Sequence, residues 1–481
     1  MQRLLLTAVA LAMAGCTVGP NFMGASSSDQ AVPSFPTLAA GGPLIPTEPP
    51  ALWWSQLRDP QLDALIERAL AANYDVRVAV ANLEAARSVL AQTQTQLLPT
   101  VNATGNIQES RLQIAAQQPT DRVAPTRTAT SLGLDLSWEL DLFGRVRRSV
   151  EAAEADIGQA EELRNDTLTV VASDTARAYV DLRGAQLRLD VARRNAENQQ
   201  RTFGLTRTLR DAGRATDLDI ARAQAQLTNT LATIPPLEAA VTSARNRLST
   251  LTATPLGALV RELEATKPVP EVPAFVAAGD PAGLIRRRPD IRAAERALAA
   301  SSARIGVATA DLFPRVNLLG SIGLAATDPS RLLTGGAFGF GIGPSLTWNI
   351  FDREAIYARI RQSDATADAN LARYQKTVSS ALQEADTALA NYVRELDRRL
   401  QLRAAADASR RAADLANQRY EAGVENFLTV LDAQRTLLQA EDALAQSDIQ
   451  IAQNLIGVFK ALGGGWETAP ATGVQRYREA S

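Results

Sequence analysis

Histidine is absent from this chain of 481 residues, and cysteine occurs once, at Cys16. Without histidine there is no Ser-His-Asp or Cys-His arrangement and no histidine metal site. A single cysteine allows no intrachain disulfide and no cysteine-cluster zinc site. What remains for chemistry is a set of carboxylates and guanidinium groups beside two glycines. Asp219 and Arg222 follow Gly213, while Glu425, Leu428 and Asp432 follow Gly423. The two stretches share a register. Six positions after the glycines stand Asp219 and Thr429, and nine positions after them stand Arg222 and Asp432. Leu428 and Asp432 are four apart, so a helix carries them on one face. Arg222 can pair with Asp219 on its own helix, or with Glu425 or Asp432 on a neighbouring one. Taken alone, Asp432 reads as a solvated helix carboxylate. An enzyme built from these residues would need a carboxylate-only or lysine-based site, and no glycine-rich phosphate loop precedes any helix. The expectation is a protein with no catalytic, cofactor or metal site.

Charge narrows the choice further. The 50 Lys and Arg nearly balance the 52 Asp and Glu, for a formal net charge of −2. A nucleic-acid binder would carry a basic excess. The run Arg286-Arg287-Arg288 is one triplet without aromatic interleaving, which is weak evidence for nucleic acid. Aromatic residues are only 5% of the chain, a composition that suggests long helices rather than a compact enzyme core.

The elements that must hold these residues are written twice. Tyr74-Asp75-Val76-Arg77 recurs as Pro289-Asp290-Ile291-Arg292, and Leu98-Pro99-Thr100-Val101-Asn102 recurs at the same offset as Phe313-Pro314-Arg315-Val316-Asn317. Trp138 recurs as Trp348, and Ala212-Gly213 as Ala422-Gly423. Each half opens with a helical run, at 61–98 and 281–313. After each tryptophan comes a much longer one, at 150–212 and 354–422. At about 1.5 Å per residue the latter would reach roughly 100 Å. Helices of that length need partners along them, so coiled-coil packing is expected. Gly213 and Gly423 then stop the helices, and each restarts, which reads as a helix–turn–helix at one end of a rod. Pro235-Pro236 is expected to break the first return helix; the second, about 426–462, has no such break.

Between the helices the period changes from 3.6 to two. Over residues 131–142 every even position is apolar, from Leu132 to Leu142 with Trp138 among them, and the odd positions include Asp135, Glu139 and Asp141. Residues 337–350 alternate similarly through Phe338, Phe340, Ile342, Pro344, Leu346 and Trp348. Shorter stretches at 101–107 and 316–324 supply partners, giving four strands as two hairpins. Strands of about 9–11 residues with one apolar and one polar face fit a membrane barrel, and tryptophan favours membrane interfaces. No segment after the N-terminus has about 20 consecutive apolar residues, so a membrane crossing would require a closed barrel. Two hairpins cannot close one alone, which predicts a homo-oligomer. A trimer would give twelve strands, although the residues alone do not fix the number of copies.

At the N-terminus, Arg3 precedes an apolar stretch too short to span a bilayer, which reads as a signal segment. Met13-Ala14-Gly15-Cys16 resembles a bacterial lipobox, in which the signal is cut before a cysteine that is then lipidated. Thr17, rather than an aspartate, favours sorting to the outer membrane. The expected organisation is a signal segment at 1–15 and a lipidated N-terminus with an extended belt at 16–60. A first repeat follows at 61–255, with a hairpin at about 100–142. A linker at 256–280 leads to a second repeat at 281–462, with a hairpin at about 315–351, and a tail at 463–481.

With these elements in place, the chain resembles the outer membrane factors, the TolC/OprM-like lipoproteins of the NodT type. The resemblance covers nearly the whole chain. It is carried by the lipobox at Cys16, Leu52-Trp53-Trp54 with Leu57-Arg58-Asp59-Pro60, Arg286-Arg287-Arg288-Pro289-Asp290-Ile291, Ala310-Asp311-Leu312-Phe313-Pro314, and Arg419-Tyr420 through Leu431-Asp432-Ala433-Gln434. It implies a mainly helical protein with membrane β-structure. Three copies would build a twelve-stranded outer-membrane barrel, continued by a coiled-coil periplasmic tunnel. It implies a passive exit duct for drugs or other small molecules, in the bacterial outer membrane and anchored in its lipid. Its partners would be two further copies, a periplasmic adaptor (membrane fusion) protein and an inner-membrane pump of the resistance-nodulation-division type. Family members carry gate residues at the positions of Leu428 and Asp432, and Asp219 would match a second gate acid. Arg222 and Glu425 are the candidates for locking pairs, and Arg210, Gly213, Arg214, Arg419 and Gly423 for the tip facing the adaptor.

Two other readings compete. One is the outer-membrane channel of a type I protein secretion system, with the same architecture and a different cargo. The other is a non-conducting, periplasm-spanning structural lipoprotein, which would have no barrel.

Overall fold

The structure, a computed structural model, describes residues 17–24, 34–39, 42–111 and 126–467. The expected signal segment, Cys16 and residues 468–481 lie outside the described residues. The main elements in chain order are α1 (Pro60–Ala72), α2 (Tyr74–Gln94), β1 (Thr100–Arg111), β2 (Thr126–Glu139), α3 (Arg145–Asp211), α4 (Asp217–Ala232), α5 (Ile234–Leu251) and α6 (Leu256–Glu262). They continue with α7 (Pro281–Arg287), α8 (Pro289–Ala310), β3 (Arg315–Ala326), β4 (Phe338–Thr347), α9 (Arg353–Glu421) and α10 (Phe427–Ala461). The long helices α3 and α9 have 67 and 69 residues, several times the usual length.

Two expectations about helix breaks are corrected. The run 61–98 is not one helix, because Asn73 leaves the helical region at ψ 141° and its side-chain carbonyl accepts from the backbone N–H groups of Asp75 and Val76. The run 281–313 breaks at the matching Arg288, which precedes Pro289 and so disfavours helical backbone there. The break expected at Pro235-Pro236 is present: α4 ends at Ala232, and the prolines open α5. Both prolines sit in its first turn, where a missing N–H costs nothing, and only Thr233 separates α4 from α5.

The chain forms two compact units, each drawing on both repeats. One comprises residues 1–25, 83–160 and 293–374. Its centre is an antiparallel sheet in the order β1-β2-β3-β4. The two hairpins are joined by pairing of β2 with β3, from Thr130 opposite Ala326 to Glu139 opposite Asn317. This register puts like with like. Val101 lies opposite Leu136, Leu134 opposite Ile322, Ile322 opposite Phe340, and Val316 opposite Leu346, so one face is apolar across all four strands. Most of its large side chains are exposed, Phe340 at 78% and Ile342 at 72%. The other face carries Asn102, Thr104, Ser131, Asp135, Asn317, Ser321 and Ser345. β1 and β4 have no further strand partner among the described residues.

β1 and β3 are longer than their alternation suggests, at 12 residues each, because ladder pairing extends past the apolar positions. β2 ends earlier, at Glu139, for a local reason. The Asp141 carboxylate accepts from the N–H groups of Val146 and Arg147 and so caps α3, while Glu139 makes a two-bond contact with Arg145. Of the three acids read onto the polar face, Asp135 and Glu139 stay in the strand, opposite Ser321 and Asn317, with Asp135 accepting from Thr104 at 3.1 Å, while Asp141 lies beyond it. The duplication survives in detail. Trp138 donates its indole N–H to the Leu97 carbonyl, and Trp348 donates to the Leu312 carbonyl.

The other unit comprises residues 26–82, 161–292 and 375–481. Its belt is tied down rather than loose. Leu44–Ile45 pairs in parallel with Val276–Ala277. Trp53 and Trp54 are fully or almost fully buried, and Trp53 stacks on Phe459 with ring centroids 5.3 Å apart. Removing an apolar side chain such as Phe459 from water contributes about 1.5–3 kcal/mol. Asp59 caps α1 and also accepts from the Tyr179 hydroxyl at 2.5 Å, while Arg183 donates to Gln61 and to the Ala265 carbonyl. Two arginines of the triplet are likewise structural. Arg287 pairs with Glu467, and Arg288 joins Asp290, Glu384 and the Ala461 carbonyl.

Candidate functional site: the paired helix turns

Within this second unit, α3 and α9 end in the same way. Gly213 and Gly423 adopt left-handed backbone, at φ +72° and +74°, which favours glycine. Their N–H groups reach back to the carbonyls of Arg210 and Tyr420, and the next residues reach Leu209 and Arg419, so the last helical carbonyls are satisfied. The new helices also start alike. Thr216 caps α4 and Asn426 caps α10, each accepting from the N–H three residues on. The backbone of the site is therefore a duplicated device, and the differences lie in the side chains.

At the first turn the acids serve the turn itself. Asp219 closes a capping box, accepting from the Thr216 N–H at 2.9 Å and from its hydroxyl at 2.7 Å. Asp217 and Asp211 both accept from Arg210. Arg222, read as a partner for Asp219, makes no ion pair among the described residues, because that carboxylate is already turned onto its own helix terminus. Arg214 lays its guanidinium over Gly423, in the space a Cβ there would occupy, and so joins the two turns.

At the second turn an aromatic residue replaces the acid. Phe427, at the position equivalent to Asp217, is buried against Tyr420 at 5.7 Å, with Val430, Ala223 and Ala416 around it. The Gln434 amide donates to Thr202 and Asn417, linking α10 to α3 and α9. Glu425 accepts from the Asn426 N–H, from the Thr429 hydroxyl and from Arg419. The first two contacts lead in holding its carboxyl below the usual glutamate range. Within the chain, then, the ion-pair partner of Glu425 is Arg419.

Leu428 and Asp432 lie outside all of this. Leu428 is 54% exposed, and the side chain of Asp432 is 68% exposed, with only Arg435 at 3.3 Å. At the equivalent positions of α4 stand Leu218, 56% exposed, and Arg222. Each restart thus presents a leucine followed one turn later by a charge, anionic in one repeat and cationic in the other. Leu218 was not singled out by composition or spacing, though the shared register points directly to it. Such an arrangement can contribute an apolar ring and a charged ring to an assembly; it offers no nucleophile, acid–base pair or metal cage, and the described residues hold no group of His, Cys, Asp and Glu suited to a metal.

A sheet with one exposed apolar face, joined to helices of nearly 70 residues and a duplicated turn, defines a channel protein of the outer membrane. The chain belongs to the outer membrane efflux protein family, whose model matches residues 65–254 and 282–464, one match in each repeat. It is similar to Nodulation protein T of Rhizobium leguminosarum bv. trifolii, at 31% identity over 88% of this chain and 89% of that protein. It is also similar to the outer membrane protein OprJ of Pseudomonas aeruginosa, at 33% identity with 88% of each covered. Among solved structures, the outer-membrane channel OprN aligns with a TM-score of 0.88 and 39% identity, over 94% of this chain and all of that one. The chain is accordingly an outer-membrane component of an efflux system.

Proposed function

We propose that the chain is one of three copies forming a passive exit duct, closed at its periplasmic end by the helix turns and opened by a partner. The observation that carries this reading is the sheet, with an apolar face in the open and, among the described residues, no further strand on either edge. In hydrocarbon every backbone N–H and C=O needs a partner, so such edges require neighbouring copies. Three is the number the family resemblance implies. Leu428 and Asp432 would then recur as an apolar ring and a carboxylate ring. Three close carboxylates repel one another and attract cations. Arg222 supplies the opposite charge at the equivalent position of the other repeat, and its lack of an ion-pair partner among the described residues suits a contact with a neighbouring copy's carboxylate. Asp219 and Glu425 support the gate by holding the turns in shape. The surface around Arg210, Gly213, Arg214, Arg419 and Gly423 is the candidate for the adaptor, with an inner-membrane pump beyond it. Cys16 would carry the lipid anchor. No chemistry is assigned to the chain itself.

The test is complementation in a bacterium lacking its own outer-membrane efflux component, with a resistance-nodulation-division type pump and its adaptor co-expressed. Restored extrusion of a fluorescent small-molecule pump substrate is the expected result. Export of a protein substrate without small-molecule extrusion would transfer the reading to type I secretion, and no transport of either kind would overturn it.

A further inference from the structure

The sheet-bearing unit contains one buried arginine that neither the gate nor the barrel uses. The Arg148 side chain is only 3% exposed and extends from the first turn of α3 across the backbone of α8. Its stem lies where a Cβ on Gly306 would be, so residue 306 can carry no side chain without displacing it. The guanidinium is almost fully committed. It donates to the Val18 carbonyl at 3.1 Å, the Gly19 carbonyl at 3.2 Å, the Asn21 side-chain oxygen at 2.6 Å and Glu151 at 2.8 Å. Three of these four acceptors belong to the segment that begins at residue 17. The rest of the cradle is cut to the same segment. Val18 donates its N–H to the Phe143 carbonyl. Gly144, at φ +82°, leaves room for Thr17, whose Cα would be 2.9 Å from a Cβ there. Gly19, at φ +90°, rests on Gly306, leaving no space for a side chain on either.

We propose that residues 17–21 and Arg148 form a clamp that fixes the N-terminal lipid anchor beside the end of β2. This rests on the reading of Cys16 as the acylated residue. Residue 16 directly precedes the docked strap, so the group it carries begins one residue step, about 3.8 Å, from Thr17. Thr17 and Val18 in turn sit on Phe143 and Gly144, just beyond the strand whose apolar positions end at Trp138. The acyl chains would therefore enter the bilayer next to the lipid-facing sheet and in fixed register with it, rather than on a flexible tether. Arg148 is a positioning residue: it touches no lipid, and acts by holding the backbone of the strap. Guanidinium suits the task, since its fork reaches two successive carbonyls and an amide at once, which an ammonium cannot.

The experiment is hydrogen exchange on the full-length protein in vesicles of phosphatidylethanolamine and phosphatidylglycerol, with the mass of the N-terminal peptide read in the same digest. Wild-type protein should show a peptide carrying acyl mass and slow exchange at Val18. Arg148→Leu should speed that exchange at least tenfold while peptides of the sheet and of α9 are unchanged, and Arg148→Lys should recover only part of the protection. If Arg148→Leu does not fold, Gly19→Val displaces the strap without touching the arginine and should give the same loss. Unprotected exchange at Val18 in the wild type, or full protection in both variants, would overturn the clamp. An N-terminal peptide without acyl mass, with protection intact, would overturn the reading of Cys16 and leave a strap that positions no lipid.

Discussion

At Gly213 and at Gly423 a long helix closes on a left-handed glycine, and a second helix starts from a polar cap three residues later. Around the first turn the ionic side chains are mostly occupied with the turn: Asp219 in its capping box, Asp211 and Asp217 on Arg210. Around the second, an apolar plug of Phe427, Tyr420 and Val430 does that work, and Asp432, among the described residues, is left with the exposed Arg435 as its side-chain partner. The contrast teaches how a duplicated element divides its duties. Where packing secures a turn, a carboxylate nearby is released from structure, and a ring of such carboxylates becomes possible in an assembly. Where polar contacts secure it, the same kind of residue is consumed locally.

The largest expected difference comes from the plug. Phe427→Ala should destabilise the tip by about 3–5 kcal/mol, the usual range for emptying a buried aromatic site. Asp217→Ala at the equivalent position should leave stability nearly unchanged, since its bridge to Arg210 is exposed. Denaturant midpoints of the two variants check this, and similar shifts would erase the contrast. Next come the glycines. Gly213→Ala meets open space, so it should cost only the left-handed backbone, about 1–2 kcal/mol. Gly423→Ala should cost more, because its Cβ takes the place of the Arg214 guanidinium; exchange rates of the turn amides in both variants decide it.

Smaller effects separate the two acids. Asp219→Ala should cost about 1 kcal/mol through the lost capping-box contacts to Thr216 and speed exchange at the start of α4. Asp432→Ala should change stability by about 0.5 kcal/mol or less, yet alter single-channel conductance and its cation preference in planar bilayers. A silent conductance with Asp432→Ala would remove it from the gate. The smallest effect is a pH dependence. The Glu425 carboxyl is held below its ordinary value, so its contribution is complete above the unfolded-state pKa of about 4.3 and fades as pH falls through the lower folded value. The turn at 419–427 should hold unchanged at neutral pH and loosen only in acid below the usual glutamate range. Glu425→Gln should abolish that acid step, as measured by exchange corrected for intrinsic pH effects.

Much of this was legible in the sequence because the physical signals are long. Alternation over ten or more residues cannot serve a helix, and a run of nearly 70 residues without glycine or proline has few other forms. The duplicated Ala-Gly pairs announced both turns, and their register placed Leu428 and Asp432 on one exposed face. What sequence patterns could not show was competition for side chains. Asp219, Asp141 and Glu139 are ordinary acids in a sequence, and only the fold reveals that helix termini and arginines have already claimed them. The break at Asn73 was hidden for a similar reason: an amide that caps a helix from within a run of good helix formers leaves no gap in the periodicity. Arg148 was invisible because two of its four acceptors are backbone carbonyls, which every residue has, and a third, the Asn21 side chain, lies 127 positions away.

The shared barrel is the claim on which the gate, the duct and the anchor all depend. Electron microscopy of the detergent-purified full-length protein, with the particle mass measured alongside, tests it most directly. The account predicts a three-fold hollow particle containing about three chains of 51.4 kDa each. A monomeric or two-fold solid particle would contradict it, and the non-conducting lipoprotein would then be the better description.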